Sequence, residues 1–97
     1  MTSEFIKEIA SRYSLSETQL LERGIKAFLQ DELHTLNAEL RLILTRHGVQ
    51  SLEAFDQNII NDPDNESDLL PDFQRADFLT SRIEETAAWI KSFNGNG

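Results

Sequence analysis

The 97 residues carry nine Lys and Arg against 17 Asp and Glu, for a net charge of −8, and contain no cysteine. A chain of this length encloses one domain, the lack of cysteine excludes disulfides and thiolate zinc sites, and the acidity opposes nucleic-acid binding by the chain on its own. The start, Met1-Thr2-Ser3-Glu4, has no basic stretch followed by an apolar signal core, and no apolar run approaches the length of a membrane span, so a cytoplasmic protein without membrane contact is expected.

Ser3 can cap a short first helix in which Phe5, Ile6, Ile9 and Tyr13 recur at helical spacing, with Glu4 near the positive end of its dipole. The pattern ends it near Tyr13. In Leu15-Ser16-Glu17-Thr18-Gln19-Leu20, Ser16 and Gln19 form a capping box and Leu15 can pack on Leu20 as a hydrophobic staple. A second helix therefore begins here. No proline interrupts the chain before Pro63, and the first stop is His47-Gly48-Val49, with Gly48 suited to a left-handed C′ position and Val49 placed to touch Leu44. A helix over residues 16–47 measures ~45 Å at 1.5 Å per residue, longer than a small globule is wide, so it must project or pair.

Along that helix Ile25, Leu29, Leu33, Leu36, Leu40, Leu44 and His47 recur at intervals of four and three, a nearly straight stripe rather than a strict heptad seam. Leu21, Phe28, Leu42 and Ile43 widen it, which favours a bundle over a two-stranded rod. Gly24 costs ~1 kcal/mol relative to Ala inside a helix, which is read equally as a close approach of another helix that offsets the cost or as tolerated drift.

Ser51 caps a third, short helix carrying Leu52, Phe55, Ile59 and Ile60, which the Asn61-Asp62-Pro63 sequence should end. Residues 61–68, with Pro63 and four acids, read as an exposed connector. Pro71 suits the first turn of a last helix, where Asp72 favours the dipole. That helix should reach Phe93, with Phe73, Ala76, Ile83, Ala87 and Ile90 as its main stripe and Phe78, Leu79, Trp89 and Phe93 beside it. Residues 1–93 form one domain in this reading, and residues 94–97 a flexible tail.

Little in the chain has the form of a chemical site. His34 and His47 stand 13 positions apart on one helix, ~20 Å at helical rise, too far to share a metal. Asp31 and His34 lie one turn apart, which by itself describes an ordinary surface pair. His47 suits the negative end of its helix. The run Asp62-Pro63-Asp64-Asn65-Glu66-Ser67-Asp68 has Ser67 where a calcium loop needs glycine and Phe73 where it needs a bidentate Glu, which excludes an EF-hand. Neither a phosphate-binding glycine loop nor a nucleophile elbow is present. Glu84 and Glu85 point to different sides of a helix. No cofactor and no metal are expected.

Two families offer partial likenesses. The stretch Phe5-Ile6-Lys7-Glu8-Ile9-Ala10-Ser11-Arg12-Tyr13-Ser14-Leu15-Ser16-Glu17, continued by Leu20-Leu21-Glu22-Arg23-Gly24-Ile25-Lys26-Ala27-Phe28-Leu29, resembles the two-helix part of ribbon-helix-helix antitoxins. In those proteins a short helix, a Ser-containing turn and a second helix ending in Ile-x-x-Phe-Leu build an intertwined dimer. The resemblance covers about a quarter of the chain. It implies dimerisation and an antitoxin role. The family's DNA-reading strand has no counterpart, since only Met1 to Glu4 precede Phe5. The continuation through Glu39, Leu44, Gly48, Val49, Ser51 and Phe55 resembles small helical prokaryotic proteins encoded beside toxin genes. Separately, Arg41 and His47 have the Arg-x5-His spacing of HEPN ribonucleases, all-helical dimers that cleave RNA, although Leu42 stands where that motif carries a polar residue.

The sequence thus predicts an all-α, antiparallel helical bundle with one long helix, completed by homodimerisation or higher association. The expected interface is Leu21, Ile25, Phe28, Leu29, Leu33, Leu36, Leu40, Ile43 and Leu44. The expected function is helix-mediated protein–protein interaction, of an antitoxin-like or regulatory kind, with a toxin as one kind of protein partner. The alternatives are a HEPN-like ribonuclease with Arg41 and His47 as catalytic residues, or a purely structural helical dimer.

Overall fold

A computed structural model of the chain describes residues 3–95. Among the described residues four α-helices follow one another: α1 (Ser3–Arg12), α2 (Glu17–Arg46), α3 (Leu52–Asn61) and α4 (Glu66–Gly95), with a 3₁₀ turn, Pro63–Asn65, between the last two. No strand occurs among the described residues. The fold is all-α, as the apolar spacing predicts.

The helix boundaries follow from local chemistry. Ser16 caps α2 by accepting a hydrogen bond from the Gln19 N–H at 3.0 Å, and the Ser16 N–H donates to Gln19 Oε1 at 2.9 Å, so both orphan donors of the capping box are satisfied. At the other end Gly48 takes φ +66°. Its N–H donates to the Thr45 carbonyl and that of Val49 to the Leu44 carbonyl, each at 3.0 Å. These two bonds make a Schellman stop. The end of α1 repeats this motif without glycine: Ser14 sits at φ +58°, and the Leu15 N–H reaches back to the Ala10 carbonyl at 2.8 Å. Ser51 caps α3 by accepting from the Ala54 N–H at 3.0 Å.

α4 departs from expectation at both ends. It starts at Glu66, five residues before Pro71, and so incorporates the last three residues of the expected connector, Glu66, Ser67 and Asp68. The reason lies in the stripe, because Leu69, Phe73 and Ala76 fall at i, i+4 and i+7, and Leu69 and Phe73 pack against the core that holds Ala76. Burying Leu69 outweighs the hydrogen bond that Pro71 removes inside the helix. The prolyl preference for a first turn is met instead by Pro63, at the start of the 3₁₀ turn. At the C-terminus α4 passes the expected end at Phe93 and runs to Gly95. The last two residues of the expected tail, Asn96 and Gly97, lie outside the described residues.

α2 and α4 are both 30 residues long, ~45 Å each at helical rise, so the bundle has two long helices rather than one. They run antiparallel. Asp72, early in α4, meets His47 just after α2, Arg75 meets Glu39 further up, and Trp89 and Phe93 lie beside Ile25 and Leu29. α3 closes one end of this hairpin and α1 packs on the N-terminal part of α2. The resulting body measures 61 × 26 × 17 Å, with a radius of gyration of 19.5 Å. A compact domain of this length has about 13 Å. The chain is therefore a flat rod, and its core can occupy only a part of it.

Candidate association surface

That core lies at the closed end, where α3 caps the hairpin. Ile43, Phe55, Ile59, Ala76 and Leu79 form it, with Leu36, Leu40, Leu44, Val49, Leu52, Leu69 and Phe73 packed around them. Phe55 and Leu79 are fully enclosed. The Phe55 ring meets Phe73 edge-on at 5.6 Å between centroids and lies 4.5 Å from the His47 imidazole. Placing His47 there requires the α2 stop at Gly48, which turns the chain into α3 and brings Phe55 back against it.

Polar contacts pin this end. His47 Nε2 and Arg46 both meet Asp72 Oδ2, at 2.8 and 3.1 Å. The hydrogen bond from His47, reinforced by Arg46 and opposed by burial, holds the Asp72 carboxyl below its ordinary range. One turn up, Arg75 donates to both oxygens of Glu39, at 2.9 and 3.0 Å, while its guanidinium lies 5.3 Å over the half-exposed ring of Phe78. Neither ion pair was legible in the sequence, because each joins residues 25 or more positions apart.

The other end is open. Between α1 and α2 runs a groove of about 420 Å³, lined by Ile6, Ile9, Leu20, Leu21, Gly24, Ile25 and Phe28, without a charged side chain. A second groove, lined by Ile25, Leu29, Trp89, Ser92 and Phe93, opens between α2 and α4. Ile25 is the ridge they share. Leu21, Ile25, Phe28 and Trp89 keep 51, 48, 63 and 49% of their surface exposed, although large apolar side chains in a closed core keep almost none.

The nine residues expected at an interface thus fall into two groups. Ile43 is buried inside the single chain, and Leu36, Leu40 and Leu44 are half-buried against the same core, where α3 and α4 cover them. Leu29 and Leu33 are half-buried along the hairpin, whereas Leu21, Ile25 and Phe28 stay open. Sequence reading missed Ile6 and Ile9 as walls and Trp89 as a neighbour of this face. The Trp89 position beside the α4 stripe was the available signal. The spacing could not say which end of the hairpin α3 would close.

Arg41 and His47 do not share a cavity. Arg41 is exposed and lines a concavity with Asn37, Leu40, Leu44, Thr45, Val49 and Gln50. His47 borders a different one, with Phe55, Asn58, Asn61, Asp62 and Leu69, and is already engaged by Asp72. Asp31 and His34 are exposed on α2. Among the described residues no three His, Cys, Asp or Glu side chains are grouped to hold a metal, and no helix is long and apolar enough to cross a membrane.

Over residues 1–97 the chain matches the model of the Uncharacterized protein MJ0235 family, and it belongs to that family. No curated protein and no solved structure matches it.

Proposed function

We propose that this member of the MJ0235 family is a helix-mediated protein–protein association module, cytoplasmic, acting as an antitoxin-like or regulatory partner rather than as a catalyst. The observation that carries the reading is the open end: a 61 Å rod whose core fills one end leaves Leu21, Ile25, Phe28 and Trp89 about half exposed around two joined apolar grooves. Contiguous apolar surface of this kind marks interaction sites, and a small chain with a partial core draws missing stability from a partner. The part of the chain that resembles antitoxin helices, from Phe5 to Leu29, is the part that forms this face.

A ribonuclease reading lacks comparable support, since Arg41 and His47 line separate concavities and His47 is held by Asp72. A purely structural dimer would use the same open face, and differs only in having no second protein to regulate.

Light scattering on the purified chain at micromolar concentration tests the association reading. The expected mass is a multiple of 11.1 kDa, and replacing Ile25 with Asp should reduce it while leaving helical content intact. A monomer of unchanged mass in both proteins would defeat the proposal. Co-expression with the product of the adjacent gene then separates a regulatory partner from a structural dimer, because the former yields a stable complex with a toxin-like protein.

A further inference from the structure

The open face has an internal symmetry. Its apolar positions on α2 are Leu20, Leu21, Gly24, Ile25, Phe28 and Leu29, three adjacent pairs spaced four residues apart. Read backwards about a point between Gly24 and Ile25, this set maps onto itself: Leu20 exchanges with Leu29, Leu21 with Phe28, and Gly24 with Ile25. A helix face that is its own reverse offers like-for-like contacts to an identical face running antiparallel about a two-fold axis, the isologous contact of a C2 dimer.

Size fits this arrangement as well as pattern. Nothing lies within 4 Å of the place where a Cβ on Gly24 would stand, so within one chain the glycine leaves a notch beside the Ile25 ridge. In the antiparallel pairing each copy's Ile25 stands over the other's notch, and the larger Phe28 stands over Leu21. The close helix approach that Gly24 invites is then met between chains, not within one.

Charge selects the same partner and orientation. Residues 33–79, the closed end, hold three cations against nine acids, a net −6, whereas the remaining residues hold six against eight, a net −2. Two of those three closed-end cations are occupied within the chain, Arg46 with Asp72 and Arg75 with Glu39. Two copies that meet open end to open end bring the less charged halves together and send the acidic ends to opposite poles, much further apart than the ~8 Å over which salt screens charge. A side-by-side pairing in parallel would set −6 against −6.

Area is of the order that a weak or standard interface needs. Leu21, Ile25, Phe28 and Trp89, each about half exposed, offer roughly 400 Å² per copy at ~200 Å² for a large side chain. The half-buried groove walls Ile6, Ile9, Leu20, Leu29 and Phe93, and the mixed rim of Glu22, Arg23 and Lys26, extend it toward the ~800 Å² per partner of a standard interface.

We infer that the open end binds a second copy of this chain, with residues 20–29 of the two α2 helices crossing antiparallel about a two-fold axis beside Gly24 and Ile25. The inference rests on the association reading and specifies its geometry. The dimer is an elongated particle with acidic poles, clearly longer than the 61 Å of one copy.

Because the chain lacks cysteine, single cysteines report the contact directly. Ile25→Cys, treated with a short bifunctional thiol reagent, should link two copies efficiently at micromolar concentration, whereas Leu42→Cys, exposed at the closed end, should not. X-ray scattering on the untreated wild type should give a radius of gyration well above 19.5 Å. Phe28→Glu should weaken dimerisation by roughly a hundredfold or more, as expected for a central interface anchor, with the helical circular dichroism retained because the side chain is 63% exposed in one chain. A dimer that links through Leu42→Cys and not Ile25→Cys, or one whose longest dimension stays near 61 Å, overturns the antiparallel geometry and leaves association standing. A wild-type chain that stays monomeric overturns both.

Discussion

His47 Nε2 lies 2.8 Å from Asp72 Oδ2 and ties the end of α2 to the first turns of α4. The contact is only a third exposed on its Asp72 side and 17% on its His47 side, and it sits directly against the Phe55 ring. It therefore connects the core at the closed end to pH.

Asp72 is held below its ordinary carboxyl value by His47 first and Arg46 next. A carboxyl whose pKa is lower in the folded than in the unfolded chain stabilises the fold fully above the unfolded value, near 3.8, and loses that contribution as pH falls through the lower folded value. Asp72→Asn should thus lower the melting temperature at neutral pH, and the gap to the wild type should narrow only in acid below about pH 4. Thermal melts across pH 2.5 to 7 read this directly. A gap that persists undiminished at the acid end would mean that packing, not charge, explains the loss.

Phe55 is the centre of the enclosed core, with 0% of its surface exposed. Phe55→Ala should destabilise by about 3–5 kcal/mol, a large share of the ~5–15 kcal/mol that holds a small domain together. Leu36→Ala, half-buried beside the same core, should cost about 2 kcal/mol, and Leu42→Ala, 63% exposed, no more than ~0.5 kcal/mol. Chemical denaturation of the three variants ranks them. Since Leu36 packs inside one chain, its loss should lower stability at every protein concentration.

Ser14 holds a left-handed backbone at φ +58° that α1 needs for its stop. That conformation costs a residue with a Cβ about 1 kcal/mol, whereas glycine adopts it freely. Ser14→Gly should raise the free energy of unfolding, by somewhat less than 1 kcal/mol because glycine also loosens the unfolded chain. Ser14→Ala should not. Amide exchange in α1 is the local readout, with slower exchange expected in the glycine variant.

Glu39 and Arg75 form a two-pronged pair between α2 and α4, with side chains 41 and 49% exposed. Pairs so open to water stabilise little, up to ~1 kcal/mol at good geometry, and salt screens them. A double-mutant cycle of Glu39→Gln and Arg75→Gln should return a coupling of roughly 0.5 kcal/mol that shrinks in 1 M salt. Arg75→Gln should cost more than Glu39→Gln, because it also uncovers Phe78.

What the sequence determined by itself was the run of helices. The Ser16–Gln19 box, the Gly48 stop and the Ser51 cap are interactions between residues three to five apart, and α2 begins and ends, and α3 begins, where those residues place them. The all-α class followed from the same local spacing. Where the outcome depended on distant partners, the sequence was silent or misleading: Pro71 marked a helix start on local grounds, yet the burial of Leu69 beside Ala76 carried α4 back to Glu66. The pairing of His47 with Asp72 and of Glu39 with Arg75 likewise depended on the antiparallel register of two helices. Above all, the stripe along α2 is continuous in the sequence, and nothing local distinguishes Leu21 or Phe28 from Leu40 or Ile43. Only the tertiary structure decided that α3 folds over the second group and leaves the first uncovered, because a ten-residue helix after a tight turn at Gly48 reaches only the end of the hairpin it follows.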